Sequence, residues 1–173
     1  MNNIVMYTGK SDKALISAVS RVLTQMPGTL VSCGGRFICR GSKPLRRLCI
    51  IRDGDRPPEG SILILGDSPE YFSPELFPES PVYIVNSRNL RALSCVSGRK
   101  AIVIGCSYSS RDTLSISGIM NGTAAISLNR SLVFDGKIIY PQEIILHSTG
   151  NYPPYALLAA GAVALMTGSD KLF

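Results

Sequence analysis

The stretch Ser61–Gly66, SILILG, is apolar without a break from Ile62 to Leu65. A strand built from such a run has no polar face to offer water. It is typical of a central parallel strand, covered on both sides. Other short strands lie around it in the sequence: Asn3–Thr8 (NIVMYT), Thr29–Cys33 (TLVSC), Leu48–Asp53 (LCIIRD), Pro81–Asn86 (PVYIVN) and Lys100–Ser107 (KAIVIGCS). Between the first two, Leu15, Ala18, Val19, Val22, Leu23 and Met26 recur at three and four residues, which predicts an amphipathic helix. Ser11 is placed to cap its start and Pro27-Gly28 to end it. Ser87–Val96 predicts a second, short helix. Asp67–Pro81 holds Pro69, Pro74, Pro78 and Pro81 and is expected to be an irregular connection.

From Thr113 the pattern changes. TLSISGI, TAAISLNRSLVF and KIIYPQEIILHST predict antiparallel strands, with Asp135-Gly136 as the hairpin turn between the last two. Pro153-Pro154 then precedes a helix over Tyr155–Thr167 that is apolar nearly all round, and therefore buried. Strands alternating with helices, followed by hairpins, predict one α/β domain over residues 1–173. Its three layers would hold a mainly parallel sheet with an antiparallel extension.

The chain has 173 residues, of which 45% are apolar, enough for one domain with a real core. Its longest apolar run, Tyr155–Met166, is too short to span a bilayer. The opening MNNIVMYTGK does not read as a signal peptide. Five scattered cysteines suit a reduced, cytoplasmic protein without a disulfide framework. With one histidine, a structural zinc site is not expected. No metal and no cofactor is called for.

Net charge is +6 and unevenly placed: Arg36, Arg40, Lys43, Arg46, Arg47, Arg52 and Arg56 stand against Asp53 and Asp55. An RNA-binding module using residues 36–56 is one reading of this segment. Phe37 is its one aromatic residue, too few for a stacking platform, so a solvated loop and strand edge is preferred and a nucleic-acid partner is not expected.

The chemistry-bearing candidates begin with the turn in YTGKSDKALISAVSRVL, Tyr7–Leu23. Lys10 and Lys13 beside Thr8 and Gly9 can hold an anion at a helix N-terminus, where free N–H groups and the dipole favour negative charge. The competing reading is a capped helix with two solvated lysines, Ser11 and Asp12 themselves taking the N–H groups a phosphate would need. His147, the single histidine, precedes Gly150-Asn151 and can stack on a ligand base or act as a general base. No second catalytic group stands at a spacing that would make a triad with it. Cys33-Gly34-Gly35-Arg36 reads as a Gly-Gly turn after a buried cysteine. SPEYFSPELFP reads equally as a partner-binding segment or as a loop covering the sheet edge.

These segments in this order resemble the ATP-binding central domain of the Mur ligases, the peptidoglycan-precursor amide ligases. A strand ending in Asn86, a helix, KAIVIGCS, hairpins and then HSTGNYPPYALLAAGAVALMTG is similar to the second half of that domain. Asn151 falls nearest the family's adenine-contacting asparagine. TGKSDKAL is similar to its phosphate loop, Thr-Gly-Thr-x-Gly-Lys-Thr-Thr, with Thr8 and Gly9 matching and Lys13 at the phosphate lysine. The resemblance implies a reduced Mur-ligase central domain, with phosphate near Thr8, Gly9, Lys10 and Lys13 and a nucleotide or other ligand near Asn86, His147 and Asn151.

The departures bear on activity. Asp12 stands at the loop's second glycine, and Ala14 at the hydroxyl that would reach magnesium. Gly66 stands at a metal-binding glutamate, with Asp67 one residue on, where a continuing strand would point it to the other face. The section supplying a modified lysine and a histidine for a second metal has no counterpart between Asn86 and Lys100. Nor does a chain this short hold the family's sugar-nucleotide and amino-acid domains. The expectation is a module without ligase or ATPase activity, acting through a protein partner, a homo-oligomer, or a weakly held nucleotide or phosphate. The alternative is an active small nucleotide-binding protein or ligase subunit.

Overall fold

The computed structural model describes residues 2–9, 11–25, 29–33, 36–40, 46–51, 58, 60–67, 79–147 and 150–168. The chain opens with β1 (Asn2–Tyr7), α1 (Lys13–Thr24), β2 (Thr29–Cys33), β3 (Arg36–Arg40), β4 (Arg46–Ile51), β5 (Ile62–Leu65) and β6 (Val82–Asn86). It continues through α2 (Leu90–Val96), β7 (Ile102–Ser107), β8 (Leu114–Met120), β9 (Thr123–Leu128), β10 (Leu132–Phe134), β11 (Lys137–Ile139), β12 (Gln142–His147) and α3 (Pro154–Thr167). One ten-stranded sheet runs in the order β12-β9-β8-β7-β6-β5-β1-β4-β2-β3. From β8 across to β2 every neighbouring pair is parallel. The edges are antiparallel, β9 and β12 at one side and β3 at the other.

Side-chain alternation makes the three layers. Ile4, Met6, Ile62, Ile64, Val82 and Ile84 face the core shared with α1 and α3. Val5, Leu63, Leu65, Tyr83 and Val85 face the smaller core under α2. The central strands are thus buried on both faces, as an uninterrupted apolar run requires. In α1, Leu15, Ala18, Val19, Val22 and Leu23 form the buried stripe. In α3 every residue from Tyr155 to Met166 is buried. A helix without a polar face needs cover all round. Here α1 and strands β6, β7, β8, β9 and β12 supply it, so the sheet folds about this helix.

Several details differ from the sequence expectations. The segment 36–56, read as a solvated loop and strand edge, does hold a sheet-edge strand, β3 over Arg36–Arg40, which is not among the predicted strands. TAAISLNRSLVF breaks after Leu128 and KIIYPQEIILHST breaks before Gln142, and the pieces β10 and β11 form their own two-stranded sheet. Asp135 and Gly136 join them, both with positive φ (50° and 72°), the geometry of a tight two-residue hairpin turn. Helix α1 begins at Lys13, with Asp12 and not Ser11 at its N-cap. Lys10, Met26, Pro27-Gly28, Gly34-Gly35, Lys43, Arg52, Arg56, Ser148 and the whole of SPEYFSPELFP lie outside the described residues. No helix among the described residues is long and apolar enough to cross a membrane.

Candidate functional site

Parallel strands β1, β5 and β6 end side by side, because Tyr7 is in register with Leu65 and Ile64 with Ile84. In an open α/β sheet this carboxyl rim is where ligands bind. Thr8 and Gly9 follow β1, Gly66 and Asp67 follow β5, and Asn86 closes β6. The Gly66 N–H donates to the Tyr7 carbonyl at 2.7 Å, extending the ladder one step past the strands.

At the centre of the rim is Asp12, 5% exposed. Its side chain does not cap its own helix. It turns back across the strand ends instead. The Gly9 N–H donates to its Oδ2 at 2.8 Å, and the Asp67 N–H donates to its Oδ1 at 3.2 Å. Asp67 in turn accepts from Asn86 Nδ2 at 2.6 Å, and its carbonyl accepts from Asn89 Nδ2 at 3.2 Å. One polar chain therefore ties β1, β5, β6 and the start of α2. Gly66 leaves no room for anything else there: a Cβ at this position would lie 2.2 Å from Asp12 Oδ2.

Lys13 opens α1 with an exposed side chain. Ala14 carries no hydroxyl. Asp67, the acid one residue beyond the end of the apolar run, does not continue the strand; it sits in a bend and is bonded to Asn86. Among the described residues no group of three or more His, Cys, Asp or Glu side chains is arranged to hold a metal ion.

The structure places Thr8, Gly9, Lys13 and Asn86 at this rim, and His147 and Asn151 around Tyr152 and Leu157. His147 ends β12 with its Nδ1 3.5 Å from Thr123 Oγ1. Asn151 lines an open hollow of about 300 Å³ with Ile119, Thr123 and Leu157. Tyr152 links this group to α1, its hydroxyl 3.1 Å from Ser17 Oγ.

Sequence reasoning missed two contributors. Tyr155 stands in the first turn of α3, fully buried, its hydroxyl 2.5 Å from the Leu65 carbonyl and 3.1 Å from that of Ile84. Burial first, and then the nearby Cys106, Asp67 and Asp12, hold its phenol well above the usual range. The signal was available: a tyrosine at the start of a wholly buried helix has a hydroxyl that needs a partner. The second is Asp112, whose carboxylate accepts from Ser107 Oγ and whose carbonyl accepts from Asn129 Nδ2 at 3.0 Å, fixing the crossing from β7 to β8. Gly105 is small for the same reason as Gly66, since a Cβ there would lie 2.7 Å from Ser87 Oγ and 3.1 Å from Asp112 Oδ1. Nothing in its sequence neighbourhood marks Asp112 out.

No protein-family model matches this sequence, and no curated protein matches it. Solved structures do match in fold. The UDP-N-acetylmuramate:L-alanyl-gamma-D-glutamyl-meso-diaminopimelate ligase from Neisseria meningitides superposes with a TM-score of 0.61 at 12% identity, over 97% of this chain and 62% of that one. The UDP-N-acetylmuramoylalanyl-D-glutamyl-2,6-diaminopimelate–D-alanyl-D-alanyl ligase from Acinetobacter baumannii gives 0.58 at 10%, over 98% and 44%. A UDP-N-acetylmuramoyl-L-alanyl-D-glutamate–2,6-diaminopimelate ligase gives 0.58 at 11%, over 96% and 43%. The fold is that of the Mur ligases, in a chain that spans less than two thirds of the length of those structures.

Proposed function

We propose that this chain is a Mur-ligase-like nucleotide-fold module without ligase or ATPase activity, which works through a protein partner. The observation that carries the reading is the buried Asp12 carboxylate, bonded to the Gly9 and Asp67 N–H groups where an ATPase would present glycine and backbone to phosphate. Phosphoryl transfer relies on a metal to bridge and neutralise the phosphate oxygens. Ala14 and Gly66 offer no ligand for one, and Lys13 alone does not replace it. Free thiols at Cys49, Cys95 and Cys106 fit a cytoplasmic setting.

The test is phosphate release from ATP with and without magnesium. The expected result is a rate indistinguishable from the no-protein control. Magnesium-dependent release that Lys13→Ala abolishes would establish an active nucleotide enzyme instead. A residual anion site is the second reading, and the exposed Lys13 at the uncapped start of α1 favours it.

A further inference from the structure

We infer that Asp12 and Gly66 form one built-in plug, in which the aspartate side chain fills the volume vacated at Gly66 and closes the β1–α1 turn to a phosphate group. Two departures from the family pattern, one in the loop and one at the end of β5, fifty-four positions apart in sequence, meet at one point in space. Oδ2 of Asp12 lies where a Cβ on residue 66 would be, at 2.2 Å, so neither side chain can be large while the other is. The same oxygen accepts from the Gly9 N–H, and its partner Oδ1 from the Asp67 N–H. Asp12 is buried and both its carboxylate oxygens are bonded, so the side chain is held and not swung aside. A phosphate approaching the turn meets a fixed negative charge in place of a free N–H.

The plug deepens the reading above, and rests on it only for the identity of what is excluded. The steric coupling stands by itself, which lets the two fail separately. Thermal unfolding of the wild type, Gly66→Ala, Asp12→Gly and the double variant tests the coupling. Gly66→Ala is expected to lower Tm by about 4 °C or more in the wild type, because a held carboxylate has to move. In the Asp12→Gly background most of that loss disappears, the Tyr7 carbonyl at 3.1 Å accounting for what remains. Additive losses overturn the plug. Asp12→Ser, which shortens the side chain and can still cap the helix, is a second background if Asp12→Gly does not fold. Inorganic phosphate and pyrophosphate, without metal, supply the other arm. They are expected to leave the Tm of the wild type unchanged and to raise that of the Asp12 variant. An equal response in the two proteins, or none in either, overturns the exclusion. ATP hydrolysis by the wild type would overturn the proposed function while leaving the steric coupling to the unfolding cycle.

Discussion

Tyr155 shows how one hydroxyl can hold a rim together. Its single proton is shared between two carbonyls on adjacent strands, Leu65 of β5 and Ile84 of β6, and its ring anchors the first turn of α3. A phenylalanine there would keep the packing and leave both carbonyls without that donor. Tyr155→Phe is therefore expected to destabilise the protein by about 1–2 kcal/mol at neutral pH, read by urea unfolding. The alkaline limb gives a sharper signature. The folded-state phenol titrates well above its ordinary value, so above pH 10 the unfolded chain loses this proton while the native protein keeps it. The stability it contributes is complete below pH 10 and is lost as pH rises from there toward the folded-state pKa. Cys106, whose thiol burial also pushes up, acts in the same direction in both proteins and cancels from the comparison. Between pH 10 and 11 the wild type should lose stability more steeply than Tyr155→Phe. Parallel curves would mean that the buried phenol is not the group responsible.

Helix α3 carries the same logic over fourteen residues. Its sequence has no hydrophobic face because it has no solvent face, and at Gly161 it lies close against strands β9 and β12. A Cβ there would meet Ile126 Cδ1 at 2.8 Å and Ile144 Cδ1 at 3.5 Å. One methyl can be accommodated by the flexible ends of two isoleucines, and alanine gains about 1 kcal/mol of helix propensity to set against it. A larger side chain cannot. Gly161→Leu is expected to cost about 1–3 kcal/mol or more through overpacking between α3, β9 and β12, while Gly161→Ala stays close to wild type. If thermal unfolding finds the leucine variant as stable as the alanine one, the close approach is not real.

The elements themselves were unequally legible. Strands such as β5 and β6 announce themselves because burial on both faces demands apolar residues at every position, and a buried helix like α3 does the same. Strand β3 did not, because RFICR is a short run of three apolar residues between two arginines and follows a Gly-Gly pair that reads only as a turn. Where strand patterns ran on through Asn129 and Tyr140-Pro141, the chain breaks. Asn129 turns its side chain back to the Asp112 carbonyl and to Ser115 Oγ at 2.9 Å, and Pro141 has no N–H to continue a ladder. At the site, residue types gave the expectations at Ala14 and Gly66, but not that Asp12 and Gly66 would be in contact. Spacing along a chain carries no record of which strand ends become neighbours.

At the scale of the whole molecule the open question is the +6 charge. Of the seven cations within residues 36–56, Arg36, Arg40, Arg46 and Arg47 lie in described strands. In the sheet, Arg36 is opposite Cys33 at one end of β2, while Arg40 and Arg46 are both in register with Thr29 at the other. Four residues of extended strand separate the two ends by about 13 Å. Arg46 and Arg47 also stand level with Asn2 and Asn3 of β1, at the amino ends of the parallel strands and so away from the rim that holds Asp12. These four arginines, divided in this way, do not make a continuous basic groove of the kind that tracks a nucleic-acid backbone, and Phe37 alone does not make a stacking platform. A fluorescent single-stranded RNA is therefore expected to show no saturable binding at physiological salt. The reading fails if binding appears whose log affinity falls linearly with log salt concentration. Each phosphate contact contributes about 0.7 to that slope on a single strand. Replacing Arg46 and Arg47 together by alanine would then make it shallower by about 1.4, which would place the RNA on the amino-end edge of the sheet and leave the plugged rim out of the function altogether.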